Sequence, residues 1–129
     1  MNRSGSKKTV LVVDDERAWI EILSLNLLKF GFKAIHASNG EEGLKIALRE
    51  KPELVVLDIV MPKMDGLTVM KKLRGDTWGK KVPIVLFTSL MPNEEMMRRI
   101  SVDKPALYLI KTEHEPEEVV GKIHEIIGA

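Results

Sequence analysis

The sequence predicts an α/β protein built on a five-stranded, doubly wound parallel sheet with strand order 2-1-3-4-5. Short apolar runs alternate five times with segments of helical periodicity along the 129 residues. Three of these runs, VLVV, LVVL and IVLF, are apolar at every position, which is typical of central parallel strands buried on both faces. Right-handed crossovers then favour this strand order as the common arrangement of five βα units.

The predicted strands are bounded by turn residues and by polar residues at their carboxyl ends. The second strand is more polar than the others, which indicates a position at the edge of the sheet. In chain order, the five strands are predicted over Thr9–Val13, Lys33–Ala37, Leu54–Asp58, Ile84–Thr88 and Leu107–Lys111.

Helical spacing of apolar residues, together with end signals, predicts the helices that connect these strands. Ser38 and Glu41 form an S-x-x-E capping box for the second helix. Asp65 can cap the third helix, and Pro116 occupies the first position of the fifth. The predicted segments are Arg17–Phe30, a helix after Ser38 that carries Leu44, Ala47 and Leu48, a helix over 66–74 that ends at Gly75, a short helix from Pro92 or Asn93 to about Ser101, and a last helix from Pro116 with Val119, Val120, Ile123, Ile126 and Ile127 on one face.

Composition narrows the classes of function. A formal net charge of +1 argues against nucleic acid or an anionic membrane as a direct partner. The absence of cysteine excludes disulfides, thiol catalysis and Cys-based zinc sites, and it suits the cytoplasm. The start, MNRSGSKK, lacks the apolar segment of a signal peptide, and no apolar run is long enough to span a membrane. We therefore expect a cytoplasmic chain with a flexible leader over 1–7 and one domain over 8–129.

Acidic residues follow two strands that are neighbours in the predicted sheet. Asp14, Asp15 and Glu16 follow the first strand, and Asp58 ends the third. The carboxyl ends of these two strands flank the point where the strand order reverses, so we expect the carboxylates to share one crevice. Like charges repel unless a cation lies among them, and a site made of oxygen ligands suits Mg²⁺. Glu16 is interpreted instead as a helix-end acid that the helix dipole favours.

The fourth and fifth strands end on a hydroxyl and an ammonium group, those of Thr88 and Lys111. Each alone is commonly a turn residue or a solvated charge, but both lie at the same sheet edge as the acids. The chain has no Gly-rich phosphate loop and no nucleophile elbow. A carboxylate nucleophile, a divalent cation, a hydroxyl and an ammonium together suit phosphoryl transfer onto an aspartate.

With these motifs the chain resembles the receiver domains of two-component response regulators, in particular stand-alone regulators of the chemotaxis kind. The motifs are DD after the first strand, D-x-x-M-P-x-M-D-G from the end of the third, T-S at the end of the fourth and Y-x-x-K on the fifth. The resemblance covers nearly the whole chain and implies a flavodoxin-like fold. It also implies signalling rather than turnover of a substrate, with only self-catalysed phosphorylation and dephosphorylation.

The resemblance implies a metal and acceptor site. Asp58 accepts the phosphoryl group, and Asp15 and Asp58 bind Mg²⁺ directly while Asp14 acts mainly through water. The backbone carbonyl of Val60 completes the protein ligands. Phosphorylation then comes from a histidine kinase or a phosphotransfer protein.

The resemblance also implies a switch. Thr88 moves towards the phosphoryl group, Lys111 pairs with it, and Tyr108 turns inward as Thr88 moves. The signal leaves through the face of helix 4, strand 5 and helix 5 to a downstream protein, from a monomer or weak dimer. One departure from the family pattern is Thr112, where proline usually follows the lysine, so the last loop is free to take another path.

Two apolar residues permit a sharper expectation. In this family the side chains two positions beyond the acceptor aspartate and the threonine flank the path of the attacking water. Here they are Val60 and Leu90, which cannot orient a water molecule by hydrogen bonding and can exclude one. We therefore expect a long-lived phosphoryl group.

Two other functions stay open. The chain can be a binding module in which phosphorylation no longer matters, although its intact acidic set argues against this. It can also be a phosphohydrolase that uses an aspartate after the first strand, an arrangement that Asp14 and Glu16 imitate loosely.

Overall fold

The computed structural model describes residues 7–128 and shows five βα units around one parallel sheet. The strand order is β2-β1-β3-β4-β5, so the predicted fold class and topology are confirmed. Residues 1–6 of the predicted leader lie outside the described part of the chain. The elements are β1 (Thr9–Val13), α1 (Arg17–Lys29), β2 (Lys33–Ala37), α2 (Gly40–Glu50), β3 (Leu54–Leu57), α3 (Gly66–Arg74), β4 (Ile84–Thr88), α4 (Glu94–Asp103), β5 (Leu107–Ile110) and α5 (Pro116–Ile127).

The central strands contain unbroken apolar runs because helices cover the sheet on both sides. On one side, Val10 and Val12 of β1 pack with buried residues of α1 and α5. On the other side, Leu11 and Val13 of the same strand pack with residues of α2, α3 and α4. Alternate residues of a strand point to opposite faces, so a strand that is buried on both needs an unbroken apolar run.

Two strands end one residue earlier than predicted. β3 ends at Leu57 and β5 ends at Ile110, which leaves Asp58 and Lys111 as the first residues beyond them. Lys111 begins a short 3₁₀ turn over Lys111–Glu113, which forms the first part of the loop between β5 and α5. Both side chains therefore lie at the rim of the sheet and not within its ladder.

The capping box predicted at Ser38 and Glu41 is wrong, because the N-cap of α2 lies one residue later. Asn39 is the N-cap, and its side-chain oxygen accepts a hydrogen bond from the backbone N–H of Glu42 at 2.8 Å. The Glu42 carboxylate in turn accepts from the backbone N–H of Ser38 at 3.2 Å. Asn39 is as good a cap as Ser38, and the chain turns helical only at Gly40, so sequence alone did not distinguish the two registers.

The other helix signals are close to the observed bounds. α1 ends at Lys29, one residue before the predicted end, and α4 continues to Asp103, two residues past Ser101. α4 begins at Glu94 with Asn93 as its N-cap, one residue after the later of the two predicted starts. Pro116 is the first residue of α5, as predicted. Between residues 7 and 128, the structure contains no helix with the length and apolar character that crossing a bilayer requires.

Candidate functional site

The pairing of β1 with β3 brings Asp14 and Asp58 side by side. Val13 is the register partner of Leu57, and Asp14 and Asp58 are the residues that directly follow these two. The backbone N–H of Asp58 donates to the carbonyl of Val13 at 3.0 Å and joins the two strand ends. Asp14 is only 2% exposed and Asp58 only 5%. Two buried carboxylates at one sheet edge require compensating positive charge.

The loop after Asp58 holds that aspartate through its main chain. The backbone N–H of Ile59 donates to a carboxylate oxygen of Asp58 at 2.7 Å, and the N–H of Gly66 donates to the carbonyl of Ile59 at 2.8 Å. Asp65 caps α3 by accepting from the N–H of Thr68 at 2.9 Å. A Cβ at Gly66 would lie 2.0 Å from the carbonyl oxygen of Asp58, so only glycine fits there. The Asp65-Gly66 pair therefore starts α3 directly against the end of β3.

Lys111 supplies the positive charge. Its Nζ lies 2.8 Å from Asp14 Oδ2, 3.1 Å from Asp58 Oδ2 and 3.1 Å from Glu16 Oε1. Burial, the largest single influence, works to lower the pKa of Lys111, but the pairing with the three carboxylates outweighs it and the pKa is raised. Burial raises the pKa of Asp14, and the hydrogen bond from Lys111 offsets only part of that rise. Lys111 therefore stays a cation at neutral pH.

The donor set fits a magnesium ion. Asp14, Glu16 and Asp58 each offer a carboxylate oxygen, and these three atoms lie within 4.8 Å of one another. Such an oxygen-only set is what Mg²⁺ prefers in proteins. Asp15 is exposed and does not belong to this group, although it lines the same cleft as Asp58. The structure thus brings two of the three predicted acidic ligands together, and the ligand roles stay predictions.

Glu16 is the acidic residue that sequence reasoning missed. It was interpreted as a helix-end acid, yet its carboxylate contacts Lys111 beside Asp14 and Asp58. Its backbone is extended, with φ −94° and ψ 109°, and it follows Asp14 by two residues. Side chains two apart in extended backbone point to the same face, and this spacing is the signal that could have found it.

An open cleft of about 360 Å³ lies beside Asp58. The Thr88 hydroxyl is buried at the end of β4 and accepts a long hydrogen bond, 3.4 Å, from the backbone N–H of Leu90. Val60 is exposed and lines the cleft with an apolar side chain. The residues that line the cleft are Asp15, Glu16, Asp58, Val60, Thr88, Ser89 and Leu90.

Tyr108 connects β5 to the loop that follows Thr88. Its side chain is half-buried, and its hydroxyl donates to the carbonyl of Leu90 at 2.5 Å. Burial raises the pKa of Tyr108, and the negative charge of Asp58 adds to the rise. The side chain thus links β5 to the loop between β4 and α4, and its role as a switch stays a prediction.

Comparison with known proteins decides the family. The family model described as "Response regulator receiver domain" matches residues 10–124. The chain belongs to this family. The receiver domain of a two-component response regulator is a signalling module and not an enzyme in the ordinary sense, and it typically binds Mg²⁺ in an acidic pocket such as the one seen here.

Relatives with curated names extend well beyond the receiver domain. The chain is 38% identical over 120 residues to the alkaline phosphatase synthesis transcriptional regulatory protein PhoP of Bacillus subtilis, covering 93% of this chain and 48% of that protein. It is 38% identical over 123 residues to the probable transcriptional regulator ycf27 of Porphyra purpurea, covering 95% and 49%. The chain therefore spans about half the length of these relatives.

Solved structures confirm the architecture. Chemotaxis protein CheY4 of Vibrio cholerae superposes with a TM-score of 0.84 at 24% identity, covering 94% of this chain and 99% of that one. A putative response regulator from Chloroflexus aurantiacus superposes with a TM-score of 0.83 at 28% identity, covering 96% and 100%. The receiver fold is thus shared across proteins that differ at most positions.

Proposed function

We propose that this receiver domain is a phosphoacceptor switch that a histidine kinase or a phosphotransfer protein modifies on Asp58. The observation that carries the proposal is the position of the Asp58 carboxylate, 3.1 Å from the Lys111 ammonium and on the wall of an open cleft. A cation at that distance pairs with the carboxylate and can later offset charge on a transferring phosphoryl group.

The chemistry follows from the side chains at the sheet edge. An Asp58 carboxylate oxygen attacks the donor phosphorus, the bond from phosphorus to the donor imidazole nitrogen breaks, and its electron pair stays on that nitrogen. Lys111 pairs with the transferred group, and the Thr88 hydroxyl donates to one of its oxygens. Mg²⁺, when bound, neutralises charge on the phosphoryl oxygens.

The proposed ligands of Mg²⁺ are those that the family pattern implies, with one addition. Asp15 and Asp58 would bind it directly, Asp14 would act mainly through water, and the carbonyl of Val60 would complete the set. Glu16 joins them as a candidate because its carboxylate lies in the same group of oxygens.

Output passes through the face of α4, β5 and α5 to a downstream protein. Thr88 and Tyr108 lie on that route, since the Tyr108 hydroxyl binds the loop that leads from Thr88 into α4. The domain acts in the cytoplasm as a monomer or weak dimer and contacts no nucleic acid itself. Because the curated relatives are about twice as long, the downstream partner can equally be a further domain of the same polypeptide.

The deciding experiment is incubation with Mg²⁺ and a small phosphodonor, followed by intact-mass measurement. We expect a gain of one phosphoryl group in the wild type and no gain in Asp58→Asn. Asp65→Asn is the matched control, because asparagine still caps α3 and the acceptor is untouched. A wild type without mass gain supports a phosphorylation-independent module. Turnover of a phosphomonoester that is lost in Asp14→Asn and kept in Asp58→Asn supports a phosphohydrolase.

The phosphoryl group is expected to be long-lived, because the apolar side chains of Val60 and Leu90 line the cleft that an attacking water must enter. Val60→Asn and Leu90→Glu are each expected to accelerate its loss several-fold by giving that water a hydrogen-bond partner. The measurement is the decay of phosphorylated protein after removal of the donor, with Val60→Ala as the apolar control. Unchanged decay in both polar variants contradicts the expectation.

A further inference from the structure

Trp19 covers the ammonium group of the site. The Lys111 ammonium lies over the indole ring of Trp19, 5.4 Å from its centroid, which is within the range of a cation–π contact. Its three carboxylate partners, Asp14, Glu16 and Asp58, come from the ends of β1 and β3. Trp19 comes from a different element, the first turn of α1, and no motif in the sequence indicates it.

The indole is itself held from the sheet. The ring of Phe87 meets it edge to face, with centroids 5.0 Å apart and an interplanar angle of 88°. Phe87 is fully buried in β4 and directly precedes Thr88. Edge-to-face geometry restrains the orientation of both rings. Because Phe87 is held in the core, its contact with the indole ring also fixes the position of Trp19.

We propose that Trp19 is a positioning residue that keeps the Lys111 ammonium within reach of the group carried by Asp58. A lysine ammonium on its flexible stem has no intrinsic preference among three carboxylates. The ring adds a further attraction for the cation, whose side chain is only 3% exposed. For its effect on the reaction rate, the inference rests on the phosphorylation of Asp58 proposed above.

The first test does not depend on phosphorylation. In the wild type, NMR is expected to show the terminal methylene protons of Lys111 upfield of the other lysines, because they lie over an aromatic face. In Trp19→Leu these resonances return to the range of ordinary lysines, and in Trp19→Phe they remain displaced. Wild-type Lys111 resonances at ordinary positions overturn the proposal, whatever the phosphorylation result.

The second test is the rate of phosphorylation by a small phosphodonor at fixed Mg²⁺. Trp19→Leu is expected to react about threefold to tenfold more slowly, as loss of a partly buried cation–π contact implies. Trp19→Phe keeps an aromatic face and is expected to stay within about twofold of the wild type. The matched control is Trp78→Leu, which removes the same bulk from the core cluster on the other side of the sheet and leaves the rate unchanged.

The pattern of outcomes separates the two proposals. A wild type that gains no phosphoryl group defeats the proposed function, and the NMR test still decides the Trp19 contact. Normal phosphorylation of a folded Trp19→Leu, or equal slowing by leucine and phenylalanine, overturns the positioning role alone. Thermal unfolding and NMR dispersion establish that each variant is folded, and Trp19→Phe keeps the test decisive if the leucine variant is not.

Discussion

Lys111→Met is expected to lower the free energy of unfolding by about 3 kcal/mol in metal-free buffer, as breaking a buried ion pair commonly does. The ammonium is the shared partner of Asp14 and Asp58, both of which are almost completely buried. Methionine preserves most of the side-chain volume, so the loss reports on charge and not on packing. Without the ammonium, the carboxylates repel each other and at least one must take up a proton or draw in water.

Urea unfolding measures this effect, and two comparisons sharpen it. Adding MgCl₂ is expected to recover part of the lost stability, because a cation that binds only the folded state stabilises it. Asp14→Asn in the Lys111→Met background is expected to be less destabilising than it is alone, since it removes a charge that no longer has a partner. Lys71→Met on the exposed side of α3 is the control. A Lys111→Met protein as stable as this control would show that leaving the two buried carboxylates without their ammonium partner does not destabilise the fold.

Gly66→Ala is expected to destabilise the protein by about 2 to 3 kcal/mol and to slow phosphorylation of Asp58 as well. The new methyl carbon would lie 2.0 Å from the Asp58 carbonyl oxygen, and 2.9 Å from the α-carbon of Ile59. Both neighbours are backbone atoms, which cannot rotate away as a flexible side chain can. Either α3 moves outward or the end of β3 shifts, and both changes disturb the site.

The other end of the same helix provides the matched control. A Cβ at Gly75 would come no closer than 3.5 Å to any atom, and its φ of −81° suits any residue. Gly75→Ala is therefore expected to be neutral or to stabilise by a few tenths of a kcal/mol, since alanine has the higher helix propensity. Chemical unfolding measured for both variants tests the contrast. Equal stabilities would contradict the close approach of α3 to Asp58.

Much of the fold could be predicted because its signals are local or topological. Unbroken apolar runs indicated buried parallel strands, and the rule that crossovers are right-handed limited their order. Asp14, Asp58, Thr88 and Lys111 could then be assigned to one sheet edge without coordinates, since the carboxyl ends of parallel strands meet there. Ends of elements were less certain, because Ser38 and Asn39 are equally good caps and only the register of α2 distinguishes them.

Side-chain partners at that edge were decided by packing between segments distant in the chain. Glu16 turns into the acidic cluster while Asp15 lies outside it, although the two are adjacent in sequence. Trp19 covers the Lys111 ammonium although the two residues are 92 positions apart in the sequence. Such contacts depend on where the first turn of α1 lies relative to β4 and to the turn after β5. No periodicity or motif records that geometry, because rotamers follow the surrounding atoms.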